Sequence, residues 1–408
     1  MSWLTRTLLA SDASTLVKQT ESFLPQLAQS SPLLLFGLSK HLPASDLSRL
    51  VSALQTCSRT NIGFLCDQPT REEYHVSLAA APSSARVVPF RSTLRGKPTI
   101  ALGRELRPGI LNERDVSPAM GSNDQQREEA AFLHTAHDDW HRLWGSTNHV
   151  HTLPQELQNL TTDTVTDLIY TSDTSPQALF STLDHYFPKA RQLGLLASST
   201  PFVTGRPFTM IHNSQIHSDG AIGFALTDSS CKATSKPAPK LSLAGYKAIG
   251  SPSVISRAQG NIILEFGEGT PPTKVLVDNI AAAEGTILPV EKETEFYLGI
   301  VEQSDTSRRP ENAQMLAKVI SGDPRKGGMA VDCEESFQSG MLVQFYAPAK
   351  PTSTLEPASP GILGTNDRPT RLAHTFWSPS EHGFVYKRDA ATASWLCNVP
   401  RAEVSFPL

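Results

Sequence analysis

Two rhythms of apolar and polar positions run along this chain. Short, nearly continuous apolar runs at 33–36 and 62–65 predict strands covered on both faces. Between them, Leu47, Leu50, Val51 and Leu54 recur at helical spacing behind Pro43, which predicts an amphipathic helix with a proline at its entry. Strand, helix and strand at this spacing predict a parallel pair joined by a right-handed crossover. Residues 5–9 predict an earlier strand, and 13–27 a helix after it.

Farther on, 84–126 reads as a loop-rich segment carrying Arg86, Arg91, Arg95, Lys97, Arg104 and Arg107. Helices are expected at 127–144 and 176–185, and a strand at 193–197. The second half opens on a hairpin: the β-branched run Val254-Ile255, a turn at Gly260-Asn261, and a second run at 262–264. Gly267, Gly269 and Pro271-Pro272 lead into a helix with Val275, Leu276 and Ile280 on one side. Strands follow at 296–301, 329–331, 341–345, 384–386 and 404–406, with 315–320 open between helix and strand. Residues 350–370 read as a proline-rich loop. No internal repeat is legible. The pattern predicts an α/β fold of mixed α and β elements, in two packed domains whose mixed sheets are flanked by helices. The small, polar, proline-containing segment 231–240 is the expected linker. It separates domain 1–230, with a long insertion at about 84–156, from domain 241–408.

Composition adds exclusions. A chain of 408 residues that is 39% hydrophobic and 19% charged can bury two cores. A formal net charge of −4 gives no global electrostatic case for nucleic acid or for an acidic membrane surface. The basic stretch from Arg86 to Arg107 has little aromatic interleaving, which also argues against a nucleic-acid platform. Cys57, Cys66, Cys231, Cys333 and Cys397 are scattered and odd in number, so neither a disulfide framework nor a structural zinc site is expected. Acidic neighbours in Val331-Asp332-Cys333-Glu334-Glu335 argue against a reactive thiol there. The longest apolar run, 33–38, is far short of a membrane span. Trp3, Leu4, Arg6, Leu8 and Leu9 resemble the opening of a mitochondrial presequence. The strand expected over the same residues favours a cytoplasmic protein, with import as the alternative.

Several blocks resemble the FIST family. In the first half they are His185-Tyr186-Phe187-Pro188-Lys189-Ala190, the small-residue run Ala197-Ser198-Ser199, Thr204-Gly205-Arg206-Pro207, and the glycine-led stretch 218–226. In the second half they are 254–280, 296–300, and 319–324 through 340–345. Their order and spacing match a FIST N-terminal domain followed by a FIST C-terminal domain. The tail lacks the Cys-Gly-Arg turn of many members, and the insertion at 84–156 is unusually long. The resemblance implies an intracellular sensory module for signal transduction that binds a small polar or anionic ligand, an amino acid among them, without catalysis. As the alternative, it implies a protein-interaction adaptor related to ubiquitin-ligase substrate receptors. Leu153-Pro154-Gln155-Glu156-Leu157 resembles the opening of an F-box but lacks the rest of that module.

Candidate chemistry gathers at two places. Arg206 beside Gly205 and Thr204 can clamp a carboxylate or phosphate, with backbone amides approaching at the glycine. His212 and His217 lie close by in sequence, and Asn261 is expected to face the same cleft between the halves. A surface turn explains the same residues without a ligand. The second place is His134, His137 and His141, which share a helix face and can meet a transition metal or offer an axial ligand to haem. A solvated helix face is the plainer reading. Ser218 and Asp219 sit beside His217, but no G-x-S-x-G elbow is present, so a hydrolase is the weakest of the readings.

Overall fold

The computed structural model describes residues 3–28, 31–68, 73–94, 152–227, 240–243, 245–283, 287, 289–291, 294–302, 307–322, 327–333, 336–349, 361–363, 370–387, 394–399 and 403–406. The expected helix 127–144, with His134, His137 and His141, lies outside them, as does most of the expected linker.

The chain begins with β1 (Leu4–Ala10), α1 (Ala13–Ala28), β2 (Leu33–Ser39), α2 (Ala44–Gln55), β3 (Thr60–Cys66) and β4 (Tyr74–Ala80). The Asp12 carboxylate accepts from the Thr15 amide at 2.8 Å and so starts α1. Leu47, Leu50 and Leu54 are the buried stripe of α2, at the predicted spacing. The four strands lie in the order β1-β4-β2-β3, antiparallel except for the parallel pair β2–β3.

The next stretch is β5 (Arg86–Ser92), β6 (Val165–Ser172), α3 (Gln177–Tyr186), β7 (Arg191–Leu196), the short helix α4 (Pro201–Thr204), the hairpin β8 (Met210–His212) and β9 (Gln215–His217), and β10 (Ala221–Thr227). Its sheet runs β5-β10-β6-β7, again antiparallel except for the parallel pair β6–β7. The two halves of the N-terminal region therefore repeat one topology. That repeat is invisible in the residues because only strand order and sense are shared. Arg86–Ser92, expected to be loop, is the edge strand of the second sheet.

The sheets stack face to face. Leu33, Leu35, Ile62 and Phe64 of one meet Ile169, Leu193, Ile222 and Phe224 of the other in a single inner cluster. The alternate residues point outward: Leu34, Phe36, Leu65 and Leu78 pack with α1 and α2, and Leu168 and Tyr170 pack with α3. Helix, sheet, sheet and helix form four layers. Leu153 and Leu157, flanking the short 3₁₀ turn Gln155–Leu157, are buried in the outer core beside α3.

After β11 (Lys240–Ser242), a closed six-stranded barrel follows: β12 (Tyr246–Gln259), β13 (Ile262–Phe266), β14 (Tyr297–Ile300), β15 (Met315–Gly322), β16 (Met329–Val331) and β17 (Leu342–Pro348). Helix α5 (Pro272–Ala282) lies against β12 and β13, with Val275, Leu276 and Ile280 on the core. Residues 315–320, open between helix and strand, belong to a strand.

The tail does not stay with the barrel. β18 (Gly361–Leu363) and β19 (Thr370–Ala373) extend the first sheet beyond β1. β20 (Phe376–Pro379) and β23 (Glu403–Phe406) pair with β11's small sheet, and β21 (Phe384–Lys387) and β22 (Trp395–Cys397) extend the second sheet beyond β7. Part of the expected 350–370 loop is thus strand, and the cut at 231–240 divides sandwich from barrel only until the tail returns. Barrel residues such as Ile255, Leu316 and Phe345 share one apolar cluster with Leu195, Phe224 and Trp395. The polar cleft expected between the halves gives way to this continuous core, because the returning strands bring apolar faces to both bodies.

One buried ion pair fastens the tail. Lys387 is 3% exposed, and its Nζ donates to Asp184 Oδ1 at 2.8 Å and to Pro188 O at 2.7 Å. Asp184 also accepts from Gln192 Nε2 and from the backbone and side chain of Ser394. Asp184→Ala strands a buried ammonium and is expected to cost about 3–5 kcal/mol. Lys387→Met leaves Asp184 with other donors and is expected to cost about 1–2 kcal/mol. Urea denaturation of the two variants checks the order; equal losses would show that the pair does not fasten the tail.

Candidate functional site

Buried parallel strands deliver their C-terminal residues to one place. β2 runs into Lys40, β3 into Asp67, and β7 into Ser198 and Ser199. Lys40 N donates to Cys66 O at 2.9 Å, Ala197 N to Ser172 O at 2.9 Å, and Ser198 N to Leu65 O at 3.0 Å. These bonds tie the carboxyl ends of both parallel pairs together, the position where open α/β sheets hold ligands.

The tail supplies the remaining groups. Between β20 and β21 the chain turns at Ser380-Glu381-His382-Gly383, and Ser380 Oγ accepts from His382 N at 3.2 Å and Gly383 N at 2.7 Å. Gly383 has φ +100°, and a Cβ there would lie 1.6 Å from Cys397 O. Only glycine fits, and the turn is held over the strand ends.

Lys40 Nζ donates to Glu381 Oε2 at 2.6 Å and lies 3.8 Å from Asp67 Oδ1. Ser199 N donates to the same Glu381 oxygen at 3.1 Å. Ser199 Oγ and His382 Nε2 share a 3.1 Å hydrogen bond, with Phe208 edge-on to the imidazole at 6.0 Å. His41 Nε2 stands 3.7 Å from Asp67. Burial raises the Glu381 carboxyl, but the Lys40 hydrogen bond and charge, His382 and the Ser199 amide outweigh it, and the net shift is downward. Burial lowers the His382 imidazole; Glu381 opposes this and Lys40 reinforces it, so the ring is held neutral. Within the core below, Cys66 Sγ and His75 Nε2 are 3.2 Å apart. Burial pushes the thiol up to about 12 and the imidazole down to about 3, so the pair is neutral and not a nucleophile. The hydroxyls of Ser39 and Ser198, adjacent in sequence to Lys40 and Ser199, are fully buried and lack a hydrogen-bond partner among the described residues.

A serine beside a neutral histidine is half of an acyl-transfer device. The other half is an oxyanion hole of free amides. Here the Ser199 amide is given to a carboxylate and the Thr200 amide to Pro207 O at 2.9 Å. Glu381 Oε2 also approaches the same histidine nitrogen as the serine, at 3.9 Å, rather than orienting the ring from Nδ1. Both amides next to the Ser199 hydroxyl are thus already engaged.

The residues singled out in the sequence are spread around this place. Thr204, Gly205 and Arg206 lie in the loop that leaves Ser199, whose base is the bridge between Ser199 and Phe208. Thr204 Oγ1 bonds Thr209 Oγ1 at 2.7 Å, Gly205 caps α4 in the left-handed region, and Thr200 Oγ1 donates to Arg206 O at 3.0 Å. The Arg206 guanidinium is exposed and donates to Ser218 Oγ at 3.2 Å. His212 and His217 face each other across the β8–β9 hairpin at 6.5 Å, and burial lowers both. Arg91 donates to His217 Nδ1, Asp219 O, Asp219 Oδ1 and Ala221 O, and so staples that hairpin to β10. Asn261 does not join them: its Nδ2 donates to Val331 O at 2.8 Å and its carbonyl accepts from Val331 N at 3.0 Å, closing the barrel. Among the described residues no group of three or more metal-ligating side chains is present. Lys40, Asp67, Glu381 and His382 were missed. The signal for the first two was a polar residue directly after each buried run; nothing local marked the others.

The chain matches no protein-family model, and no curated protein is similar to it. Among the described residues no helix is long and apolar enough to cross a membrane.

Two outcomes are expected. Gly383→Ala must move backbone and costs about 3 kcal/mol, read by urea denaturation. For His382 the folded pKa lies below the ordinary 6.5. Its contribution to stability is complete above that value and is lost as pH falls through the depressed one. His382→Gln is expected to flatten the stability curve below about pH 6.5, while Glu381, held below the ordinary 4.5, acts at lower pH. An unchanged slope would show that the ring is not desolvated.

Proposed function

We propose that this chain is a FIST-type sensory module that binds a small polar ligand where its parallel strands end, without chemistry of its own. The observation that carries this reading is the convergence of Lys40, Asp67, Ser199, Glu381 and His382 from separate segments onto one spot. Surface ion pairs seldom justify such an assembly through stability alone. The FIST resemblance supports the same reading independently, through Ala197-Ser198-Ser199 and Thr204-Gly205-Arg206 in the loop that frames the spot.

A second reading, a protein-interaction adaptor, is favoured by one feature. Phe202 on α4 is fully exposed and Val203 beside it is exposed as well. Exposed aromatics on a short, well-capped element are characteristic anchors at protein interfaces.

Thermal-shift and calorimetric screening of amino acids, amines and organic acids separates the two. The sensory reading expects a ligand that, at a hundredfold excess over its Kd, adds about 2.7 kcal/mol of stability. That response should be lost in Lys40→Met and Ser199→Ala, and kept in Phe202→Ala. If no compound stabilises the protein while Phe202→Ala abolishes a stoichiometric complex, the adaptor reading replaces it.

A further inference from the structure

The polar groups at the strand ends are unevenly matched, and the imbalance specifies a ligand class. Two carboxylates, Asp67 and Glu381, face one ammonium, Lys40. Burial keeps His382 neutral, so these four groups sum to one negative charge. The hydrogen bonds are equally lopsided. Lys40 and Ser199 both donate to Glu381 Oε2, and among the described residues nothing donates to its Oε1. Asp67 is poorer still. Among the described residues it pairs with Lys40 Nζ at 3.8 Å and the His41 ring at 3.7 Å, both beyond hydrogen-bond reach. It sits directly after fully buried Cys66 and is itself only 29% exposed at the side chain. A half-buried carboxylate without a donor is costly, and the cost is relieved by a partner that brings N–H groups and positive charge.

Resting on the binding reading above, we infer that the ligand carries a cationic head group of the ammonium class, read by Asp67 and by Glu381 Oε1. Lys40 then acts as a positioning residue: it holds the Glu381 carboxylate through Oε2. The Ser199–His382 pair offers a neutral donor and acceptor to whatever polar atom lies next along the ligand. Arg206, the residue expected to clamp an anion, is exposed and donates to Ser218 Oγ.

The test uses the full chain with three probes of equal length and different charge: n-propylamine, propionate and n-propanol. It is run near pH 8, where imidazoles are neutral. The amine is expected to raise the melting midpoint and to titrate in calorimetry, and the other two to have no effect. Asp67→Asn is expected to weaken the amine about tenfold. Asp67→Lys should reverse the preference, so that propionate binds and propylamine does not. Asp67 is partly exposed and, among the described residues, accepts no hydrogen bond, so both variants are expected to keep a single cooperative unfolding transition without ligand, which checks that they fold. Binding of propionate or propanol in place of the amine, or amine binding unaffected by either Asp67 variant, overturns the cationic class and leaves the strand-end site standing. Silence of the three probes while an acid or neutral compound from the broader screen stabilises the protein does the same. Silence of every compound removes the binding reading itself, and this inference with it.

Discussion

Strands buried on both faces must be covered on both faces, and nearly everything else in this molecule follows from that requirement. β2, β3, β6 and β7 carry apolar side chains at successive positions. A sheet so composed cannot present either side to water. Each parallel pair therefore packs helices outside and the other sheet inside, and the helix–sheet–sheet–helix order is the smallest arrangement that satisfies both. The inner layer is the shared one: removing either sheet would expose the other's Ile, Leu and Phe residues, each worth about 1.5–3 kcal/mol of burial.

Covering the faces leaves the edges. The first sheet would end at β1 and β3, the second at β5 and β7, with unpaired backbone groups along each. β8 and β9 cover the β3 edge, and the returning tail covers β1 and β7. Edge protection thus brings the Ser380–Gly383 turn, with Glu381 and His382, over the strand ends. The turn's place is set by strand pairing on one side and by the Lys387–Asp184 pair on the other. A site assembled this way depends on the complete fold, because no single segment holds more than two of its groups.

Much of the scaffold was legible in the residues. The runs at 33–36 and 62–65, the α2 stripe, the hairpin around Gly260-Asn261 and helix α5 follow from local periodicity and turn chemistry. The strand β4 was not legible, since Tyr74–Ala80 mixes His75 and Ser77 among small residues. Tertiary partners take up the Ser77 hydroxyl, which bonds Trp377 O and Thr7 Oγ1, and His75 Nε2, which bonds Cys66 Sγ. The tail was equally opaque, as its strands are three or four residues long and gain their stability from the sheets they join. For the site, sequence proximity drew attention to Arg206, His212 and His217. The groups that converge are instead far apart in sequence, as the separation of 341 positions between Lys40 and Glu381 makes plain.

The repeated topology sharpens the argument for function. In each half a parallel pair ends in polar residues, yet the two halves treat them differently. After β6, Asp173 is fully employed in holding the fold: Oδ1 accepts from Ser175 N at 2.9 Å and Oδ2 from Gly220 N at 2.6 Å. Gly220 has φ +66° and no room for a Cβ beside Ser92 O, so that carboxylate locks a turn that only glycine can make. At the matching position after β2 stands Lys40, and after β3 stands Asp67, to which nothing donates among the described residues. Had structural need alone shaped these ends, both halves would show capped carboxylates. One half caps its acid with its own backbone; the other holds an acid open beside a positioned lysine, serine and histidine. That asymmetry within a duplicated frame sets the strand ends of β2 and β3 apart from that of β6.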